Sequence, residues 1–81
     1  MNNYKFSVEF TINVYGTPVQ VLKDSLVGLG NDFNLQEKEE NGRGSIIKIH
    51  IHTNDPYLVF DTCSQFGRLK SVKVEELKEV R

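Results

Sequence analysis

The sequence predicts a two-layer α+β sandwich, with two helices covering one face of a four-stranded antiparallel sheet. Two segments alternate strictly between apolar and polar residues, two others repeat apolar residues at helical spacing behind a proline, and the elements run β-α-β-β-α-β. That order is the ferredoxin-like split βαβ arrangement, whose usual strand order, 4-1-3-2, makes the first and third strands central neighbours.

The first strand covers Tyr4 to Ile12, with Tyr4, Phe6, Val8, Phe10 and Ile12 on one side and Lys5, Ser7, Glu9 and Thr11 on the other. Thr17 is placed to cap the first helix, with Pro18 at its first position, where a missing N–H costs nothing. Val19, Leu22, Leu26 and Leu29 form that helix's buried stripe, and Gly30 is placed to end it in a left-handed conformation. Phe33 and Leu35 alternate with Asn34 and Gln36 in a second strand, at the edge of the sheet, that runs into the hairpin-turn dipeptide Asn41-Gly42.

The third strand, "SIIKIHIHT", turns Ile47, Ile49 and Ile51 one way and Ile46, Lys48, His50 and His52 the other. Asn54 or Asp55 caps the second helix, Pro56 opens it, Val59, Phe60, Cys63 and Phe66 form its buried stripe, and Gly67 closes it. The fourth strand points Leu69, Val72 and Val74 toward the helices and Ser71, Lys73 and Glu75 away. With the first and third strands adjacent, Ser7, Glu9 and Thr11 lie across from Lys48, His50 and His52 on the helix-free face.

Composition narrows the function classes. The 81 residues make one domain, residues 1–81, close to the size at which partners or neighbouring domains contribute to stability. Ten Lys and Arg against eleven Asp and Glu leave no basic stripe for nucleic acid. The lone Cys63 cannot form an internal disulfide, the N-terminus is too polar for a signal peptide, and no apolar stretch is long enough to span a membrane. A cytoplasmic protein is expected, either a stand-alone module or an excised domain.

The residues that could carry chemistry are few. His50 and His52, two apart on one strand face, place their Cβ atoms roughly 6.5–7 Å apart, a spacing that suits two imidazoles converging on a divalent ion such as zinc. Glu9 is the carboxylate available as a third ligand, and the plain reading is a polar sheet face. Cys63 belongs to the core, on the far side of the sheet from the histidines. Ser7 with His50 or His52 imitates a nucleophile and base, with Glu9 or Glu75 as orienter, but flat strands offer no oxyanion site. "NGRG" and "GLG" lack a phosphate-loop pattern.

From the third strand onward, "IKIHIHTNDP", a helix ending in "FG" and "LKSVKVEEL" resemble the middle domain of the bacterial fatty acid kinases of the dihydroxyacetone-kinase-like family. The likeness extends upstream through "KFSVEF" and "LKDSLVGLGNDF" and covers about residues 4 to 77. It implies a neighbouring kinase domain that binds ATP and magnesium, a C-terminal domain, and a DegV-family partner presenting the fatty acid, with acyl phosphate passing to phospholipid synthesis. This chain has no nucleotide or acidic metal-binding motif of its own, so it is expected to carry no cofactor unless the histidines take zinc. One departure stands out, because the cysteine of the family's first strand corresponds here to Ser7. The leading expectation is an interaction face bearing Lys5, Ser7, Glu9, Lys48, His50, His52, Lys73 and Glu75, serving a homodimer or orienting neighbouring domains. The alternative is a metal or small-ligand module using His50, His52 and Glu9.

Overall fold

The computed structural model describes residues 4–41 and 44–77. Its elements are β1 (Phe6–Val14), α1 (Val19–Leu26), β2 (Asn31–Asn41), β3 (Gly44–Thr53), α2 (Pro56–Ser64) and β4 (Gly67–Glu76). They form one antiparallel sheet of order β2-β3-β1-β4, the predicted order read from the other edge. The fold is α+β and ferredoxin-like.

Strand parity drives the packing. Val8, Phe10 and Ile12 of β1 pair with Ile51, Ile49 and Ile47 of β3, and these three apolar rungs are almost completely buried beneath the helices. Leu22 and Leu26 of α1 and Val59 and Cys63 of α2 close the core from above, with Phe60 set edge-to-face against Phe10 at 6.1 Å between ring centroids. Burying each such side chain contributes about 1.5–3 kcal/mol, which is why the alternation fixes which face the helices cover.

The helix boundaries differ from the sequence expectation in informative ways. Pro18, not Thr17, is the N-cap of α1: it is extended at φ −62° and ψ 143°, its carbonyl accepts the Val21 N–H, and no side chain caps the helix. The proline ring fixes φ but leaves ψ free, so the chain enters the helix one residue late. α1 stops at Leu26, and Leu29 packs on the core from the following turn.

Gly30 and Gly67 are not left-handed caps either; the positive-φ glycines among the described residues are Gly16 and Gly44. What both need is the absence of a side chain. A Cβ on Gly30 would lie 2.0 Å from the His52 carbonyl oxygen, and one on Gly67, the first residue of β4, would lie 1.9 Å from that of Asn13. Both glycines seat the chain against a neighbouring strand's backbone.

α2 begins as predicted, with Asp55 accepting the Leu58 N–H and Pro56 opening the helix. The β2–β3 ladder reaches the pair Asn41 and Gly44, while Gly42 of the expected turn lies outside the described residues. In β4, Leu69 and Val74 face the helices as expected, opposite Ile12 and Val8. Val72 and Val74 nevertheless stay half exposed, because β4 is an edge strand and α2 is short.

Candidate functional site

The helix-free face is built from the other parity. Ser7 stands across from His52, Glu9 from His50 and Thr11 from Lys48, with Glu75, Lys73 and Lys70 flanking the same three residues on β4. The expected juxtaposition of Ser7, Glu9 and Thr11 with Lys48, His50 and His52 is present in the ladder. The side chains, however, join along diagonals.

Ser7 Oγ and His50 Nε2 are hydrogen-bonded at 2.8 Å, the hydroxyl donating when that nitrogen is unprotonated. Lys48 Nζ lies 3.6 Å from Glu9 Oε2. His52 Nδ1 lies 3.4 Å from Asp32 Oδ2, an ion pair whenever the imidazole is protonated. The two imidazoles meet edge-to-face with centroids 5.2 Å apart. Both histidines are partly buried, whereas Lys48 and Glu9 are more than a third exposed, so their attraction is worth about 1 kcal/mol at most.

Asp32 belongs to this site but carried no recognisable signal. It sits at φ 51° where the β2–β3 register shifts between Asn31 and Asn34, and that bulge brings its carboxylate to His52. Asp is one of the few residues that tolerate this backbone region. A bulge interrupts alternation, so periodicity misplaces the residue inside it.

Cys63 is fully buried on the opposite side of the sheet, and burial pushes its thiol up to about 12. It packs; it does not join the histidines. Among the described residues no three His, Cys, Asp or Glu side chains cluster as metal ligands, and Glu9 leans toward Lys48.

The segment after the histidines is a structural corner. Thr53 is buried, donates its hydroxyl proton to the Leu29 carbonyl at 2.8 Å and accepts the Asp55 N–H at 3.1 Å. Asn54 Oδ1 accepts the Lys5 N–H at 2.8 Å, and Asp55 caps α2. Thus Thr53, Asn54 and Asp55 tie β3 to the loop before β2, to the start of β1 and to α2.

Residues 3–81 match the FakA-like family model, which describes the middle domain of proteins like the A component of fatty acid kinase. The chain belongs to this family. The match spans nearly the whole chain, from just before β1 through all six elements of the sandwich. No curated protein matches the chain. The family is described as a middle domain, one part of a larger fatty acid kinase subunit. Among the described residues no helix is long and apolar enough to cross a membrane.

Proposed function

We propose that the chain is a non-catalytic interaction module of a cytoplasmic fatty-acid-kinase-like protein. Its helix-free face supports dimerisation or sets the orientation of the kinase-like and C-terminal domains, for phosphorylation of fatty acid presented by a DegV-family acyl-binding protein. ATP and magnesium belong to the kinase domain in this reading. The observation that carries it is a middle-domain match joined to a face whose polar side chains are held by Ser7–His50, Lys48–Glu9 and His52–Asp32. Fixing side chains in advance lowers the entropy lost on association.

The test combines light scattering with amide NMR during addition of the separately produced kinase-like and C-terminal domains. The expected result is self-association, or shifts concentrated at Lys5, Ser7, Glu9, Lys48, His50, His52, Lys73 and Glu75. A monomer at every accessible concentration, with no shift on that face, overturns the reading.

The 5.2 Å approach of the imidazoles favours a second reading, in which His50 and His52 bind zinc or another divalent ion with Glu9. His50 could ligate through Nδ1 while Nε2 keeps its Ser7 contact, but through Nε2 only by giving that contact up, and Glu9 would be drawn from Lys48, so zinc competes with contacts already made. Calorimetric titration with zinc should then give saturable binding that Glu9→Gln weakens. An unchanged melting temperature and no heat on adding zinc would exclude it.

A further inference from the structure

The outer edge of β4 differs in chemistry on its two faces. β4 pairs with β1 alone, leaving a line of backbone donors and acceptors along its other side. On the helix side it presents Leu69 and the half-exposed Val72 and Val74, and Tyr57 of α2, 83% exposed, lines a groove with Leu69. On the helix-free side it presents Arg68, Lys70 and Lys73, opposite Asn13, Thr11 and Glu9, with Glu75, opposite Ser7, at the far end of the row. Among the described residues none of these three cations forms an ion pair within 4.0 Å.

We infer that this edge receives an extended segment alternating apolar with acidic residues, added as a fifth strand. Main-chain hydrogen bonds supply the general attraction and side chains on alternate faces supply the selection. Apolar residues of the incoming strand rest against Leu69, Val72 and Val74, and its carboxylates lie beside Arg68, Lys70 and Lys73. The separation of faces survives the bulge. The ladder shifts between Glu9 and Thr11, with Ser71 at φ 55°, so that two residues of β1 step along three of β4, from Lys70 to Lys73. An incoming strand can step in the same way.

The bulge and the lysines also discourage indiscriminate edge pairing. A cationic row repels a like-charged strand and leaves an acidic one favoured. A second copy pairing antiparallel through β4 sets Lys70 against Lys73 at the centre of the row, with Arg68 against Glu75 only at its ends, which makes an acidic strand the better match. This surface shares Lys73 with the histidine-centred face but adds the backbone edge of β4 and its apolar side, which that reading does not use, so the inference stands without it.

The experiment titrates the full chain, labelled with nitrogen-15, with the capped peptide Glu-Val-Glu-Val-Glu-Val-Glu and with its Lys-for-Glu counterpart. Saturable amide shifts should concentrate on β4, with the lysine peptide at least about tenfold weaker. R68E/K70E should weaken the acidic peptide to a similar extent while leaving the amide dispersion of β1 and β3 unchanged. If that variant fails to fold, the two-peptide comparison on the native chain decides. Equal binding of both peptides, no β4 shift up to the solubility limit, or β4 shifts that depend on protein concentration without peptide would each overturn the inference.

Discussion

Ser7 Oγ meets His50 Nε2 at 2.8 Å along the diagonal of the β1–β3 ladder, although the residue directly opposite Ser7 is His52. The diagonal leaves His52 to Asp32 and gives the two imidazoles different partners. Ser7→Ala should therefore disturb His50 selectively. We expect a stability loss of about 1 kcal/mol in urea denaturation, the usual value of one half-buried hydrogen bond. The His50 ring carbon shifts should move much more than those of His52. Equal movement of both rings would show that the pair acts as one unit.

Ser7→Cys tests the metal reading by supplying the ligand type that this face lacks. A thiolate at this position would add the softest zinc ligand beside two imidazoles, the donor set that structural zinc sites favour. The variant should bind zinc at least about tenfold more tightly than the native chain in competition with a chromophoric chelator. Indistinguishable affinities would mean that the diagonal geometry, rather than the missing sulfur, limits metal binding.

Gly30 and Gly67 should tolerate alanine poorly. The added methyl would sit about 2 Å from a carbonyl oxygen in each case, a contact that only backbone movement relieves. Such overpacking costs about 3 kcal/mol, enough to shift a urea midpoint visibly. Gly28 is the control: a Cβ there meets nothing within 4 Å, so Gly28→Ala should stay within about 0.5 kcal/mol of the native chain. A loss at Gly28 equal to that at Gly30 would refute the steric account.

These glycines also show where the sequence stops being legible. Alternation in β1 and β3 revealed the core and the helix-free face shared by Ser7, Glu9, Thr11, Lys48, His50 and His52, because burial forces strand parity, whereas the register that sets Ser7 opposite His52 comes from the ladder. A glycine after a helical stripe looks the same whether it needs a left-handed backbone or needs no Cβ. Only the neighbouring strand distinguishes them. Asp32 was hidden for a related reason, and the expected place of Ser71 in regular alternation with Lys73 gave no sign of its bulge, since each occupies an irregularity at positive φ where the parity rule breaks. Thr53 was hidden by its type, because a lone threonine among polar residues gives no sign of burial.

Asp55 links the corner to α2. Its carboxylate accepts the Leu58 N–H at 3.2 Å, and its own N–H donates to Thr53 Oγ1 at 3.1 Å. Asp55→Ala removes the cap and should cost about 1 kcal/mol, whereas Asp55→Asn, which keeps an acceptor, should cost much less. Hydrogen exchange at Leu58 should accelerate in the alanine variant alone. Parallel behaviour of the two variants would assign the effect to charge rather than to the hydrogen bond.

Cys63 gives the chain a stability term at alkaline pH. Burial raises its thiol from 9.0 to about 12, so the folded chain keeps a proton that the unfolded chain gives up near 9. Below pH 9 both states hold the proton and the contribution is complete. As pH rises from 9 toward 12 the unfolded state binds fewer protons, and stability falls with a slope approaching about 1.4 kcal/mol per pH unit. Tyr and Lys side chains titrate in the same window, so the informative quantity is the difference from Cys63→Val, which has no proton to lose. Between pH 8 and pH 10 the difference in urea midpoint between the two proteins should move steadily against the native chain. Parallel pH profiles would show that the thiol is solvated in the folded chain, and alkylation of native Cys63 by iodoacetamide at pH 8, expected to be far slower than in urea, would then be fast.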